Sequence, residues 1–283
     1  MRTNVPITLA IVAALALGGT ALAAQDNTSS EPPKGSPEET AALAKKALNP
    51  VADMISVPFQ LNSSYGLYQP YGRTQNILNI QPVIPVHLSQ KWNLITRTII
   101  PIMWQPQNAD SGMAAGMGDI NLTAFVSPAH PGKLIWGGGL AMQVPTRTYS
   151  TLGSALWSAG PSIVLLTMPK SWVFGLLAQN TWSFAGPSDQ PEINYFYSQV
   201  FINYLFGKSG WYVTTQPIIT ADWTQPSDNQ WTVPVGGGVG YVHRFGDKLP
   251  PLNMQLSAYG YAVKQTGGPD WTLRTQIAVL LPH

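Results

Sequence analysis

Four histidines, His87, His130, His243 and His283, are the side chains best suited to proton transfer near neutral pH. A hydrolase would need one of them beside a nucleophilic serine, oriented in turn by an Asn or an acid. No G-x-S-x-G run occurs, and the spacing places no His beside a Ser. His87 points inward near one end of a strand, His130 sits in a turn, His243 ends a strand and His283 is terminal. No H-E-x-x-H or comparable ligand spacing is present. The absence of cysteine excludes thiolate chemistry and a disulfide framework. No catalytic, cofactor-binding or metal residue is therefore assigned.

What remains is a set of amides with a few charges, recurring at every second position of extended segments. Gln81, Arg97, Asp119 and Asn121 belong to it in the first half of the chain. Gln143 and Gln179 follow, then Gln216 and Asp222, then Gln255, Arg274 and Gln276. Amides in a low-dielectric interior can hydrogen-bond one another and close it, or can line a narrow wet pore. The two arginines and two acids carry the most information, because an inward charge needs a partner or water.

The elements that would position them are strands. Period-2 segments recur near 56–66, 73–88, 91–104, 118–127, 133–144, 155–167, 171–184, 193–206, 211–223, 231–244, 251–262 and 270–281. Twelve is an even number, and several segments are long enough to cross a bilayer at a tilt. Joints at 89–90, 128–132, 168–170, 207–210 and 245–250 are short. Those at 67–72, 105–117, 145–154, 185–192, 224–230 and 263–269 are generally longer. This alternation fits an up-and-down barrel with both termini on the short-turn side.

In four segments one face is apolar with aromatic ends and the other is largely polar or small. Trp92 and Trp104 bound one such face, and Trp211 and Trp223 bound another, twelve positions apart. At about 3.3 Å per residue and a tilt near 40°, that separation is roughly 30 Å along a membrane normal. Trp172, Trp182, Trp231, Tyr241 and Trp271 extend the two girdles. Charged residues are only 10% of the chain while aromatics also reach 10%, too little charge for an ordinary soluble surface. A net charge of +2 without a basic cluster gives no footprint for nucleic acid.

The N-terminal region divides further. Arg2, the apolar run from Pro6 to Leu17 and the Ala21-Leu22-Ala23 site read as a signal peptide over 1–23. Residues 24–50 comprise a polar spacer and a short helix, with Ser36 as cap, Pro37 in the first turn, Glu38 and Glu39 following, and Lys45 and Lys46 near its end. Residues 51–283 form the barrel. The fold expected is therefore an all-β transmembrane antiparallel up-and-down barrel of about twelve strands, with a short periplasmic helix that could plug its mouth. The glycine runs 137–139 and 236–238 lie inside strands, where they permit bending and close packing.

Several runs also resemble a known family. Asn79-Ile80-Gln81-Pro82-Val83-Ile84-Pro85 followed by Trp92-Asn93-Leu94-Ile95-Thr96-Arg97-Thr98 is similar to the outer-membrane β-barrel family named for the meta-pathway of phenol degradation. Its bacterial members are labelled "transporter" or, misleadingly, "neuromedin U". Gly118-Asp119-Ile120-Asn121, Trp182-Ser183-Phe184-Ala185-Gly186, Pro217-Ile218-Ile219-Thr220-Ala221 and the run from Trp231 to Gly238 add to the match, which covers about 50–283. The resemblance implies a Gram-negative outer-membrane channel for passive uptake of small hydrophobic or aromatic compounds. Its partners would be the lipid bilayer, the solute and the barrel assembly machinery, and it has no cofactor. The chain ends Leu280-Leu281-Pro282-His283 and lacks the terminal aromatic residue with which many outer-membrane proteins finish. Two alternatives stand beside this reading: a structural or envelope-interaction barrel, and an outer-membrane lipid hydrolase.

Overall fold

A computed structural model describes residues 33–110, 112–246 and 248–281. The signal peptide, most of the spacer and His283 lie outside the described residues. The helix forms where its caps predict. Helix α1 (Pro37–Ala47) begins at Ser36, whose Oγ accepts from the Glu39 amide at 3.1 Å, and ends with Lys45 and Lys46 in its last turn.

The strands are β1 (Ile55–Leu67), β2 (Arg73–Ile80 and Val83–His87), β3 (Trp92–Pro106), β4 (Met113–Met117 and Ile120–Pro128), β5 (Leu134–Val144), β6 (Trp157–Thr167), β7 (Trp172–Ala185), β8 (Asn194–Leu205), β9 (Trp211–Thr215 and Ile218–Asp222), β10 (Trp231–His243), β11 (Leu252–Val263) and β12 (Trp271–Leu281). Each pairs antiparallel with the next, and β12 returns to β1 with Gln276 opposite Gln60. The result is a closed twelve-stranded antiparallel barrel, and closure leaves no free edge. The joint expected over 105–117 is shorter than that, because β3 reaches Pro106 and β4 starts at Met113.

Three strands are each broken once. Pro82 and Pro217 bring no N–H to the ladder, yet the register is the same on both sides of them. Ile80 faces Ile100 and Val83 faces Arg97; Thr215 faces Ile202 and Ile218 faces Gln199. The third break, at Gly118-Asp119, inserts one extra residue. Met117 lies opposite Ile102 but Asn121 lies opposite Ile99.

Cross-strand partners share a face, so register and burial together assign inside and outside. Outside stand Phe59, Leu61, Val126, Leu140, Ile163, Val235, Leu256 and Ile277, all exposed. All ten tryptophans are also exposed on this face, 37–50% each, whereas tryptophan in a soluble protein is mostly buried. Trp92, Trp136, Trp172 and Trp211 form a belt at the end where β1 begins, here the terminal end. Trp104, Trp157, Trp182, Trp223, Trp231 and Trp271 form a second belt at the opposite, distal end. Trp136 and Trp157 join the rings expected from sequence. Neighbouring rings stack, as in Trp211–Tyr241 at 4.6 Å and Tyr65–Trp271 at 4.4 Å. Asn180 and Ser198 also face outward; Asn180 accepts from Trp223 Nε1 at 2.8 Å and donates to Asn194 at 3.0 Å, so its amide is satisfied.

The interior has two unlike halves. A barrel of twelve strands is wider than the eight-stranded kind that wall side chains alone can fill. At the terminal end the gap is closed by the chain itself. Leu43, Ala44, Leu48, Val51, Ala52 and Met54 pack into the barrel against Ile95, Phe125, Val164, Leu166, Val173, Leu177, Phe201 and Leu280. The inner face is largely apolar where it meets this segment, with Asn93, Ser127, Asn203 and Asn253 as polar exceptions, and amide-rich in the distal half, a departure from the largely polar or small inner face that alternation suggests.

Candidate functional site

Where the apolar plug ends, six glutamines and an arginine ring a cavity of about 100 Å³. Gln60, Gln276 and Gln255 stand side by side in register on β1, β12 and β11. Gln81 and Gln216 occupy the breaks of β2 and β9, and Gln199 projects from β8. Arg97 comes from β3. Leu48, Pro50, Ala52 and Met54, with Val83 and Phe201, contribute apolar surface to the same cavity, and Lys46 also lines it.

The proline breaks explain how two of these glutamines are deployed. Beside Pro217 the ladder is interrupted, so the backbone of Gln216 is free to bond across the interior. Its N–H donates to Tyr259 Oη at 3.1 Å, and its carbonyl accepts from Arg274 Nη1 at 2.9 Å. Its side chain donates to Asn203 at 3.1 Å. Arg274, only 6% exposed, also donates through Nε to Asn62 at 3.0 Å and lies over the Tyr259 ring at 4.8 Å. Gln81 accepts from Arg97 Nη2 at 2.7 Å. Every acceptor of both guanidinium groups is neutral.

The glycines of β10 make room for this network. A Cβ on Gly240 would stand 2.0 Å from Tyr212 Cζ. The ring of Tyr212 passes over that bare backbone to donate to Asn253 at 2.7 Å.

The two acids lie toward the distal end and serve loops. Asp119, at the β4 bulge, accepts from the amides of Thr146, Arg147 and Ser154 at 3.1, 3.1 and 2.7 Å, from Ser154 Oγ at 3.2 Å and from Gln143 at 3.1 Å. It thereby pins the connection between β5 and β6. Asp222 accepts from Thr224 N at 3.0 Å, Thr224 Oγ1 at 2.6 Å and Gln225 at 3.2 Å, which folds the start of the β9–β10 loop. Asn121 accepts from Thr123 at 3.3 Å, and Gln179 from Ser162 at 3.5 Å.

A second charged cluster closes the terminal mouth. Glu39 of α1 meets Arg244, just past β10, at 2.5 Å with both side chains 13% exposed. Burial raises the Glu39 pKa, but the Arg244 hydrogen bond, the Gly35 amide and the charges of Arg244 and Lys34 outweigh it, and the net shift is downward. Glu38 pairs with Lys208 at the exposed rim, and its hydrogen bond to Lys208 lowers its pKa too. Alternation places Arg244 inward but does not reveal Glu39 as its partner, two hundred residues away. The capped helix before the first strand is the trace in the sequence of the segment that fills the barrel; that Val51, Ala52 and Met54 continue it is not announced there.

The histidines are dispersed. His87 pairs with Asp53 at 2.9 Å on an exposed rim, His130 is exposed in a turn, and His243 lies between Tyr241 and Phe245, its Nδ1 3.1 Å from Tyr241 Oη. Among the described residues no three metal-ligating side chains converge.

No protein-family model and no curated protein sequence matches the chain. Solved structures do. The COG4313 outer membrane channel from Pseudomonas putida F1 is similar at 17% identity with a TM-score of 0.60, over 81% of this chain and 94% of that one. The NanC porin is similar at 10% identity with a TM-score of 0.51, over 81% of this chain and 99% of that one. At these identities the likeness is one of fold: the chain shares the barrel architecture of these two proteins.

Proposed function

We propose that the protein is an outer-membrane channel for passive uptake of small hydrophobic or aromatic compounds, closed at rest by residues 43–54. The observation that carries the reading is the reversal of a soluble protein's layout. The outside is apolar between two tryptophan belts, and the distal inside is amide-rich. Lipid then covers the outer face, the belts lie at its two interfaces, and the termini and short turns face the periplasm. The N-terminal 23 residues are the export signal, and the barrel assembly machinery inserts the mature chain. The fold shared with an outer membrane channel and a porin supports this reading, as does the family resemblance of the motifs around Gln81, Arg97 and Trp231.

The same plug favours a second reading, in which the barrel transports nothing and serves the envelope structurally. Conductance across a planar bilayer separates the two. Deleting residues 25–48 from the refolded protein should raise conductance, and small aromatic compounds should block the opened state. A deletion variant that is folded and still sealed removes the channel reading in favour of the structural one.

A further inference from the structure

The charges inside the barrel do not cancel where they sit. Asp119 and Asp222 are consumed by distal loops, while Arg97 and Arg274 remain among amides and aromatic rings. Among the described residues no carboxylate lies within ion-pair distance of either arginine, and the cavity wall carries Lys46 and Arg97 with no acid at all. A guanidinium whose only acceptor is one amide oxygen keeps unused donors in a fork that matches a carboxylate. The wall around it is two-natured. Glutamine side chains offer further N–H donors, and Leu48, Met54 and Phe201 contribute apolar surface to the same cavity.

We propose that this cavity is a binding site for small organic carboxylates. Arg97 receives the carboxylate in place of Gln81, and the hydrocarbon part lies against Leu48, Met54 and Phe201. Arg274 acts one layer further toward the distal end as a positioning residue, holding Gln216 through its carbonyl and adding positive potential. The volume limits the solute. A cavity of roughly 150 Å³ takes up benzene, so at about 100 Å³ this one admits a single ring only where the plug yields by half the cavity's volume or more. The solute class deepens the channel reading and draws its biological sense from it, but the site stands or falls on binding alone.

The test is equilibrium binding of sodium benzoate and of benzyl alcohol, its neutral counterpart in shape, to the full mature chain refolded in detergent. Benzoate should bind at least tenfold more tightly. Arg97→Gln should abolish that preference, Arg97→Lys, which keeps the charge and loses the fork, should retain only part of it, and Gln81→Ala should tighten benzoate severalfold by freeing the guanidinium. Equal affinity for the two probes overturns the assignment, as does undiminished benzoate binding in a folded Arg97→Gln barrel. Should Arg97→Gln not fold, Gln81→Ala decides: tightening supports the site and no change overturns it. A protein that binds benzoate yet conducts nothing keeps this site and loses the channel reading. A conducting pore indifferent to benzoate does the opposite.

Discussion

Neutralising Glu39 should loosen the plug without touching the barrel. Glu39 Oε1 lies 2.5 Å from Arg244 Nη2, and Arg244 Nε is buried without a partner, so among the described residues the carboxylate is the one acceptor that arginine has. A hydrogen bond to a charged group contributes about 1.5–3 kcal/mol. At about 1.4 kcal/mol per factor of ten, Glu39→Ala should shift the docking equilibrium of α1 by roughly 10- to 150-fold. The chain has no cysteine, so Ala44→Cys, at a position with 0% exposure in the docked helix, is a unique thiol. Its reaction with a water-soluble maleimide reports the undocked population as long as redocking outpaces labelling. Acid should do the same to the wild type. The Glu39 pKa is lowered on docking, so its contribution is fully present above the ordinary carboxylate value of about 4.5 and is lost as pH falls through the lowered value. Labelling, normalised to an exposed Gly132→Cys control, should therefore rise on acidification in the wild type and stay flat in Glu39→Gln. Equal labelling of Ala44→Cys with and without Glu39→Ala at neutral pH would refute the clasp.

Gly240→Ala should push Tyr212 off the β10 backbone and break its bond to Asn253, lowering thermal stability by about 1–3 kcal/mol, the usual cost of overpacking; an unshifted melting curve would mean the ring has room to spare. Asp119→Ala removes four hydrogen bonds from the connection over 145–156, so trypsin should cut at Arg147 in the variant and spare it in the wild type. Equal cutting would show that Arg147's own bonds to the carbonyls of Ser150 and Gly153 hold the loop. In vesicles, lipids brominated near the headgroup should quench tryptophan fluorescence more strongly than lipids brominated at the chain ends, because the two belts lie at the interfaces. The reverse order would place the rings in the hydrocarbon core and undo the girdle assignment.

The barrel is legible in sequence where the two faces of a strand differ. Along β3, Trp92, Leu94, Thr96, Ile100 and Trp104 alternate with Asn93, Arg97 and other inward residues, and the period needs no partner to be read. It is far less legible along β6, where Val164 and Leu166 face in while Ile163 and Leu165 face out. Both sets are apolar there because the inner one meets the plug, a contact between residues more than a hundred positions apart. The fate of the interior charges is hidden for the same reason. Nothing near Asp119 in the chain announces that amides at 146, 147 and 154 will claim it, and nothing near Arg97 announces that no acid will. Alternation gives the side a residue faces; tertiary contacts decide whether it is then free to bind anything.

The division of the interior has a physical logic. An apolar plug built from a separate segment can leave without breaking the ladder, because its contacts with the wall are side-chain contacts and the ion pairs Glu39–Arg244, Glu38–Lys208 and Asp53–His87 at the mouth. The strands keep every backbone bond in either state. An amide network can also change without unfolding, since glutamine both donates and accepts and can turn toward a solute without stranding a buried group. The cavity lies where these two adaptable fillings meet, and Arg97 is fixed there with donors to spare. A carboxylate bound at that boundary would touch the wall through Arg97 and the plug through Leu48 and Met54, so it would bias the docked state over the undocked one. Benzoate should accordingly slow maleimide labelling of Ala44→Cys in the wild type and leave it unchanged in Arg97→Gln. Acceleration instead would mean that the solute enters by displacing the plug, and that Arg97 binds it in the opened barrel rather than at the closed boundary.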